Sequence, residues 1–404
     1  MKKRLSRVLL NHSLLLVLVS LCILFPGKEG KTTDVHGVSG DAIKIGMIFD
    51  KTGPTVAIQG PIADGAKTYF KYVNDRGGIS GRKLRWIHED DRYTISRQVA
   101  AFKKLVYRDR VYAMYLGGST GGGLALQPMI QKEKIPVLGA PSSDILVVPP
   151  RRYFFTNGTS YEDEIKILFD YIFDRLKVKN PRIGLIRADT EHGKVGSRTA
   201  NNQAELRQIK MEGEEVVAPG ALDATSQVMN MKMAKVDYII LHTTTGNAAA
   251  FIRSAYKLKF HPIYLGTKYA GGEELVKLTG NAAKNFYMVN SFSQWYEDVP
   301  GVVKLREVTG QYYPKEKVKP GWFVQGWTQA VVVIEAIKRV GRDLNQEDLV
   351  RAYESFKDFK TDGLTGPITF GPNIRKGGDY VRLYRANVER RKLIPITDWM
   401  RPSQ

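Results

Sequence analysis

Apolar positions along this chain switch repeatedly between two spacings. Residues 43–49 form a nearly continuous apolar run of strand length, which suits a strand buried on both faces of a parallel sheet. From Pro61 onward, Ile62, Ala66, Tyr69, Phe70 and Val73 recur at helical spacing; Pro61 suits a first-turn position and Gly77-Gly78 a stop. Residues 84–91 close this opening unit of strand, open loop, helix, turn and strand. The same alternation predicts a helix over 95–108, a strand over 111–116, a short helix over 124–132 and a strand over 135–138, with a crossing into a second run of units at 154–160. That second run predicts helix 162–176, strand 182–186, a helix reaching 212, strand 214–217, and a helix from Ser226 whose Met229, Met231 and Met233 are expected to fill a core. Strand 237–241, helix 247–258 and strands 263–265 and 286–289 follow. A return crossing is expected at 291–296, a buried apolar helix over 322–340 packed on the first lobe, and a closing strand over 381–384.

Two successive runs of βα units predict an α/β fold of two doubly wound, Rossmann-like lobes joined by a multi-crossing hinge. The expected division is 41–156 with 291–365 for lobe 1, and 157–290 with 366–404 for lobe 2. Several crossings make a hinge rather than a tether.

The first residues lie outside this pattern. Lys2, Lys3, Arg4 and Arg7 precede an almost unbroken apolar run over 14–25 closed by Pro26-Gly27, so residues 1–30 read as a secretory signal peptide or an uncleaved anchor. No small-x-small cleavage pattern precedes Pro26. Cys22 is the only cysteine and follows Leu21, so it reads as one more apolar residue rather than a lipidation site. The remainder then offers no thiol for a disulfide, a thiolate metal site or a cysteine nucleophile. Of 404 residues 43% are hydrophobic, enough to bury real cores, and the formal charge of +20 falls only to +16 without the four leading basic residues. Lysine and arginine are scattered over amphipathic segments without interleaved aromatics. A solvated basic surface is expected, and no nucleic-acid partner.

The chemistry gathers where strands end. The third strand opens into Gly117-Gly118-Ser119-Thr120-Gly121-Gly122-Gly123, whose glycines admit a small anion to backbone N–H groups and whose hydroxyls can bond one. A ligand carboxylate, a dinucleotide phosphate and a plain flexible turn all remain open readings, although the stretch is not G-x-G-x-x-G. The fourth strand ends in Ala140-Pro141-Ser142-Ser143-Asp144. In the second lobe the strands empty into Asp189 to Gly193, His242-Thr243-Thr244-Thr245-Gly246 and Gly266-Thr267-Lys268-Tyr269. No H-E-x-x-H, G-x-S-x-G, C-x-x-C or phosphate-loop pattern occurs, so no enzyme, cofactor or metal site is expected. His192 or His242 paired with Asp189 or Glu191 would be the acid–base alternative, and Asp90-Asp91 is expected to cap rather than ligate.

Ile43-Lys44-Ile45-Gly46, Thr52-Gly53-Pro54, Asn74-Asp75-Arg76-Gly77-Gly78-Ile79 with Gly81-Arg82, and Asp90-Asp91 together resemble the amino-terminal signature of the leucine/isoleucine/valine-type periplasmic binding proteins, the receptors of a class of ABC importers. The stretch from Leu364 to Phe370 resembles the family's third crossing. The resemblance implies a periplasmic, monomeric receptor that closes on a small carboxylate-bearing metabolite and hands it to an inner-membrane ABC permease. It implies that Gly118, Ser119, Pro141, Ser142 and Ser143 hold the ligand carboxylate, and that His192 and Thr244 face it from the second lobe. The acidic residue that holds an amino acid's ammonium falls on Lys268, and a covering aromatic falls on Gln59. A lysine there implies a ligand with a carboxylate and no free ammonium; the alternative is that Lys268 points to solvent and another residue, such as Glu191, holds an ammonium. A soluble dinucleotide-binding enzyme and a ligand sensor that feeds no transporter are the competing expectations.

Overall fold

Strand β1 (Ala42–Ile48) is apolar on both faces because both faces of its sheet are covered: Ile43, Ile45, Met47 and Ile48 are fully buried. The computed structural model describes residues 35–140, 142–218 and 220–403, and residues from 36 onward form one compact unit. The expectations for residues 1–30, including Cys22, and for Pro141 lie outside the described residues.

After β1 the chain runs through α1 (Val56–Asp75), β2 (Lys83–Glu89), α2 (Ile95–Lys103), β3 (Ala113–Leu116), α3 (Thr120–Glu133), β4 (Val137–Gly139) and β5 (Phe154–Thr156). It continues with α4 (Tyr161–Asp170), β6 (Ile183–Arg187), α5 (Glu191–Leu206), β7 (Met211–Val216), α6 (Thr225–Met233), β8 (Tyr238–His242), α7 (Thr245–Lys257), β9 (Ile263–Gly266), α8 (Glu273–Thr279) and β10 (Phe286–Asn290). The last elements are α9 (Pro300–Tyr312), α10 (Gly321–Val340), α11 (Gln346–Glu354), β11 (Arg382–Asn387) and β12 (Lys392–Pro395).

The first sheet has the order β2-β1-β3-β4-β5, all parallel. The second has the order β12-β11-β10-β9-β8-β6-β7, parallel from β7 to β10, with β11 and β12 added antiparallel. Its parallel part repeats the order of the first sheet, so each lobe reverses strand order once: between β1 and β3 in one, between β6 and β8 in the other. Right-handed crossovers then leave a crevice at the carboxyl ends of those strands. This is the two-lobed α/β architecture expected of a type I periplasmic binding protein.

Three passages join the sheets, and they are tied to one another. Thr159, in the first passage, donates its N–H to Ser291 Oγ in the second at 3.0 Å and its hydroxyl to Tyr380 O in the third at 3.0 Å. The third passage comes later than the expected 364–370. Phe370 packs edge-on against Phe155 at 5.2 Å, Lys376 still bridges Thr156 of the first sheet, and the chain enters the second sheet at Arg382.

Local differences from the sequence pattern have physical causes. Helix α1 starts at Val56, ahead of Pro61, because the Asp50 carboxylate collects the loop amides of Thr52, Gly53 and Thr55 and squares the chain up for an earlier turn. Pro61 therefore sits inside the helix and withholds one hydrogen bond. Helix α3 begins at Thr120, so most of the glycine-rich stretch is its first turn. Helix α5 stops at Leu206, short of residue 212, with Gln208 left-handed at φ 55°. Of the three methionines of α6 only Met231 reaches the core; Met229 and Met233 are 42% and 69% exposed, since residues two apart on a helix face different ways. Helix α10 does pack on the first lobe, so closely against α1 that a Cβ on Gly326 would lie 1.8 Å from Ile62 O and one on Gly65 2.1 Å from Phe323 O.

Candidate functional site

Both strand-order reversals open onto one cavity, containing about 500 Å³ of space free of protein atoms, part of it open to solvent. The first lobe supplies Phe49 after β1 and Gly117 to Thr120 after β3; the second supplies His192 after β6, Thr244 after β8 and Tyr269 after β9. Tyr161, at the exit of the first passage, lies on the hinge side.

The wall after β3 is a helix start held open. Ser119 is the N-cap of α3 and accepts from Gly122 N–H at 3.0 Å. Gly118 has φ +72°, and a Cβ there would lie 2.5 Å from the Gln98 amide, so glycine is required. Gln59 grips the Gly118 peptide from both sides: Gly118 N–H donates to Oε1 at 2.8 Å and Nε2 donates to Gly118 O at 3.2 Å. Gln59 thus fixes the loop as well as lining the cavity. Thr120 Oγ1 is buried and has no hydrogen-bond partner among the described residues. The positive end of the α3 dipole, the Ser119 hydroxyl and the unpaired Thr120 hydroxyl converge where a carboxylate could sit.

The opposite wall is aromatic. His192 packs edge-on to Tyr161 at 4.6 Å and lies 3.9 Å from the His242 ring at 30°. The carbonyl of His192 can only accept, so His242 Nε2 carries the proton of their 2.9 Å contact, and Nδ1 faces the Thr267 hydroxyl at 3.1 Å. Burial, the neighbouring His242 and Lys268 hold His192 neutral well below the ordinary imidazole range, and its Nε2 has no hydrogen-bond partner among the described residues. Burial likewise pushes His242 down to about 4. The Tyr269 hydroxyl reaches across to Ala140 O at 3.0 Å and accepts from Gln325 Nε2 at 3.2 Å, which ties the two lobes at the rim.

The structure therefore brings together Gln59, Gly118, Ser119, His192 and Thr244 and leaves three expected residues out of the lining. Ser142 turns its hydroxyl to Ala140 O at 3.1 Å, and Ser143 gives its own to Glu162 at 2.8 Å. Lys268 corrects the reading most. Its ammonium does not meet the cavity; it donates to Thr159 O at 2.8 Å and lies 3.1 Å from Glu164 Oε1, with both side chains out of water. Among the lining residues missed were Tyr93, Thr120, Tyr161 and Tyr269. Tyr269 stands one residue beyond Lys268, so that loop was readable but not which of its side chains faced inward. No charged side chain is among the lining residues. Asp90 and Asp91 do not cap a helix as expected: they accept from the loop amides of Lys51 and Tyr93 at 2.8 and 2.9 Å, and Thr94 is the N-cap of α2.

With this geometry in view, residues 42–391 match the family model described as periplasmic binding protein. A Leu/Ile/Val-binding protein of Escherichia coli (strain K12) is 20% identical over 332 residues, covering 81% of this chain and 86% of the relative. Among solved structures, a branched chain amino acid ABC transporter protein from Thermus thermophilus with bound valine superposes with a TM-score of 0.84 at 24% identity, over 90% of this chain and 97% of the other. A fatty acid ABC transporter substrate-binding protein from Thermomonospora curvata gives a TM-score of 0.82 at 22% identity, over 91% and 94%.

Proposed function

Since the chain belongs to the periplasmic binding protein family, we propose that it is the extracytoplasmic receptor of an ABC importer, capturing a small carboxylate-bearing metabolite by hinge closure and delivering it to a permease. The observation that carries the reading is a cavity with donors on one wall, aromatic rings on the other and no charged lining residue. A carboxylate would take the α3 N-terminus and the hydroxyls of Ser119 and Thr120, while Ile58, Ile62, Phe49 and Tyr161 would enclose an apolar body. An ammonium would find no carboxylate among these residues and would lose its hydration without recompense. Short aliphatic or aromatic acids fit this pattern better than amino acids. Of the similar structures, one holds valine and another is described as a fatty acid binder, so both kinds of ligand occur on this fold.

The charged and apolar start of the chain supports export, and no helix among the described residues is long and apolar enough to cross a membrane. A thermal-shift screen of small carboxylic acids, amino acids and nicotinamide dinucleotides tests the function, because a ligand that binds only the folded state raises apparent stability. A shift with short acids, absent with dinucleotides, is the expected result. A shift with dinucleotides alone would overturn it in favour of an enzyme.

A further inference from the structure

Behind the aromatic wall lies a pair of opposite charges that the ligand cannot touch. Lys268 is fully buried, and so is Glu164 on the first turn of α4. The Lys268 ammonium lies 3.1 Å from Glu164 Oε1, and the Lys268 backbone N–H donates to the other carboxylate oxygen at 3.0 Å. The ammonium also lies 5.3 Å from the centroid of the Tyr161 ring and 5.4 Å from that of Tyr269, the two tyrosines that line the cavity on this side. One ring layer thus separates a ligand from a cation already paired to a carboxylate.

We infer that Lys268 is a specificity-determining residue: it is an ammonium supplied by the protein itself, occupying the cation site that Glu164 would otherwise offer at this wall. A buried pair of this kind often adds no stability over apolar residues of the same shape, so stability alone gives little reason for it. What it does change is the charge that the wall presents. With the Glu164 charge countered from within by an ammonium 3.1 Å away, a cationic ligand group gains nothing from this side, whereas an uncharged or anionic ligand loses nothing. Lys268 does not touch the ligand; it acts through Glu164 and the two rings and is a positioning residue. This inference rests on the reading of the cavity as a small-molecule receptor site.

Truncating Lys268 leaves the Glu164 carboxylate unpaired beside a space the length of a short alkylammonium ion. Thermal unfolding of wild type, Lys268→Ala and Lys268→Ala/Glu164→Gln is compared in n-propylammonium chloride and in sodium chloride of equal ionic strength. Propylammonium should raise the midpoint of Lys268→Ala by several degrees more than sodium does and leave the other two unmoved. If Lys268→Ala fails to fold without it, the refolding yield with propylammonium is the same readout, and Lys268→Met, which fills the space without charge, should show no rescue. Equal rescue of single and double variants, or rescue of neither, overturns the inference. Calorimetry with leucine and 4-methylpentanoate, which share a skeleton and differ in the ammonium, reads specificity. The ratio of acid to amino acid affinity should move about tenfold toward leucine in Lys268→Ala, and an unchanged ratio counts against the inference. A wild type that prefers leucine, or binds neither probe, overturns the ligand class proposed above, while amine rescue still decides whether Lys268 fills a cation site beside Glu164.

Discussion

His242 is a base kept from its proton by burial, which makes it a source of acid sensitivity. Its folded pKa of about 4 lies below the ordinary 6.5, so the unfolded chain binds the proton more tightly. Its contribution to stability is complete above 6.5 and falls by about 1.4 kcal/mol for each pH unit between 6.5 and 4. Asp91 and Glu162, raised by burial to about 6 and about 7, act in the opposite sense and lose their contribution as pH rises through those values. The parent's pH curve mixes these effects, so the difference from His242→Gln is the informative quantity. In urea titrations from pH 7.5 to 5, that difference should move in the variant's favour by about 1.4 kcal/mol per pH unit below 6.5; a constant difference refutes it. At this scale sequence reading reached loops that line the cavity. Ser119, His192 and Thr244 were placed through the family resemblance, and each lies in the loop or helix start that comes after a strand, β3, β6 and β8 respectively. Lys268 and Ser143 were misplaced because one residue of backbone rotation turns a side chain from cavity to interior, as Tyr269 beside Lys268 shows.

Helices α1 and α10 meet without side chains between them at Gly65 and Gly326. Alanine in a helix interior is ordinarily favoured over glycine by about 1 kcal/mol. Here the added carbon would meet a backbone oxygen that cannot move without shifting the whole helix. Gly326→Ala is therefore expected to lose about 2 kcal/mol net, overpacking of about 3 kcal/mol exceeding the propensity gain. A denaturant midpoint that rises or stays put would show that the helices can separate at no cost. Elements were the best-read level. Most strands came within about three residues, because burial leaves an apolar run, but β5 was read as part of a crossing and β12 was not read; α10 was readable from Val324, Ala330, Val333 and Ile337. Helix starts were read poorly at Val56 and Thr120, because what begins those helices is a carboxylate or a hydroxyl catching loop amides, a contact that no periodicity records.

The whole molecule is two sheets of the same strand order, tied at Thr159 by hydrogen bonds between all three passages and at the rim by the Tyr269 hydroxyl on Ala140 O. If ligand capture closes the lobes, small-angle scattering should show compaction at saturating ligand. Tyr269→Phe, which keeps the ring and removes the rim bond, should bind about threefold to tenfold more weakly, as expected for one hydrogen bond of roughly 0.5–1.5 kcal/mol. An identical scattering profile with and without ligand would argue against closure. Repeated βα patterning made the two-lobed architecture legible, but the third passage was read too early because residues 359–371 pair locally, Phe359 with Ile368 and Gly371 with Ile374, and imitate a return. The packing of α10 on α1 also sets an order of assembly. The first sheet is made by residue 156, yet the helix that covers α1 is not available until residue 340 has emerged. A chain made or threaded from its amino end therefore carries an unfinished first lobe while β6 to β10 are already contiguous and free to collapse. Pulsed hydrogen exchange during refolding should find amides of β6 and β8 protected before those of β1 and β3, so the half that begins first finishes last, and until then the chain stays loose enough to thread.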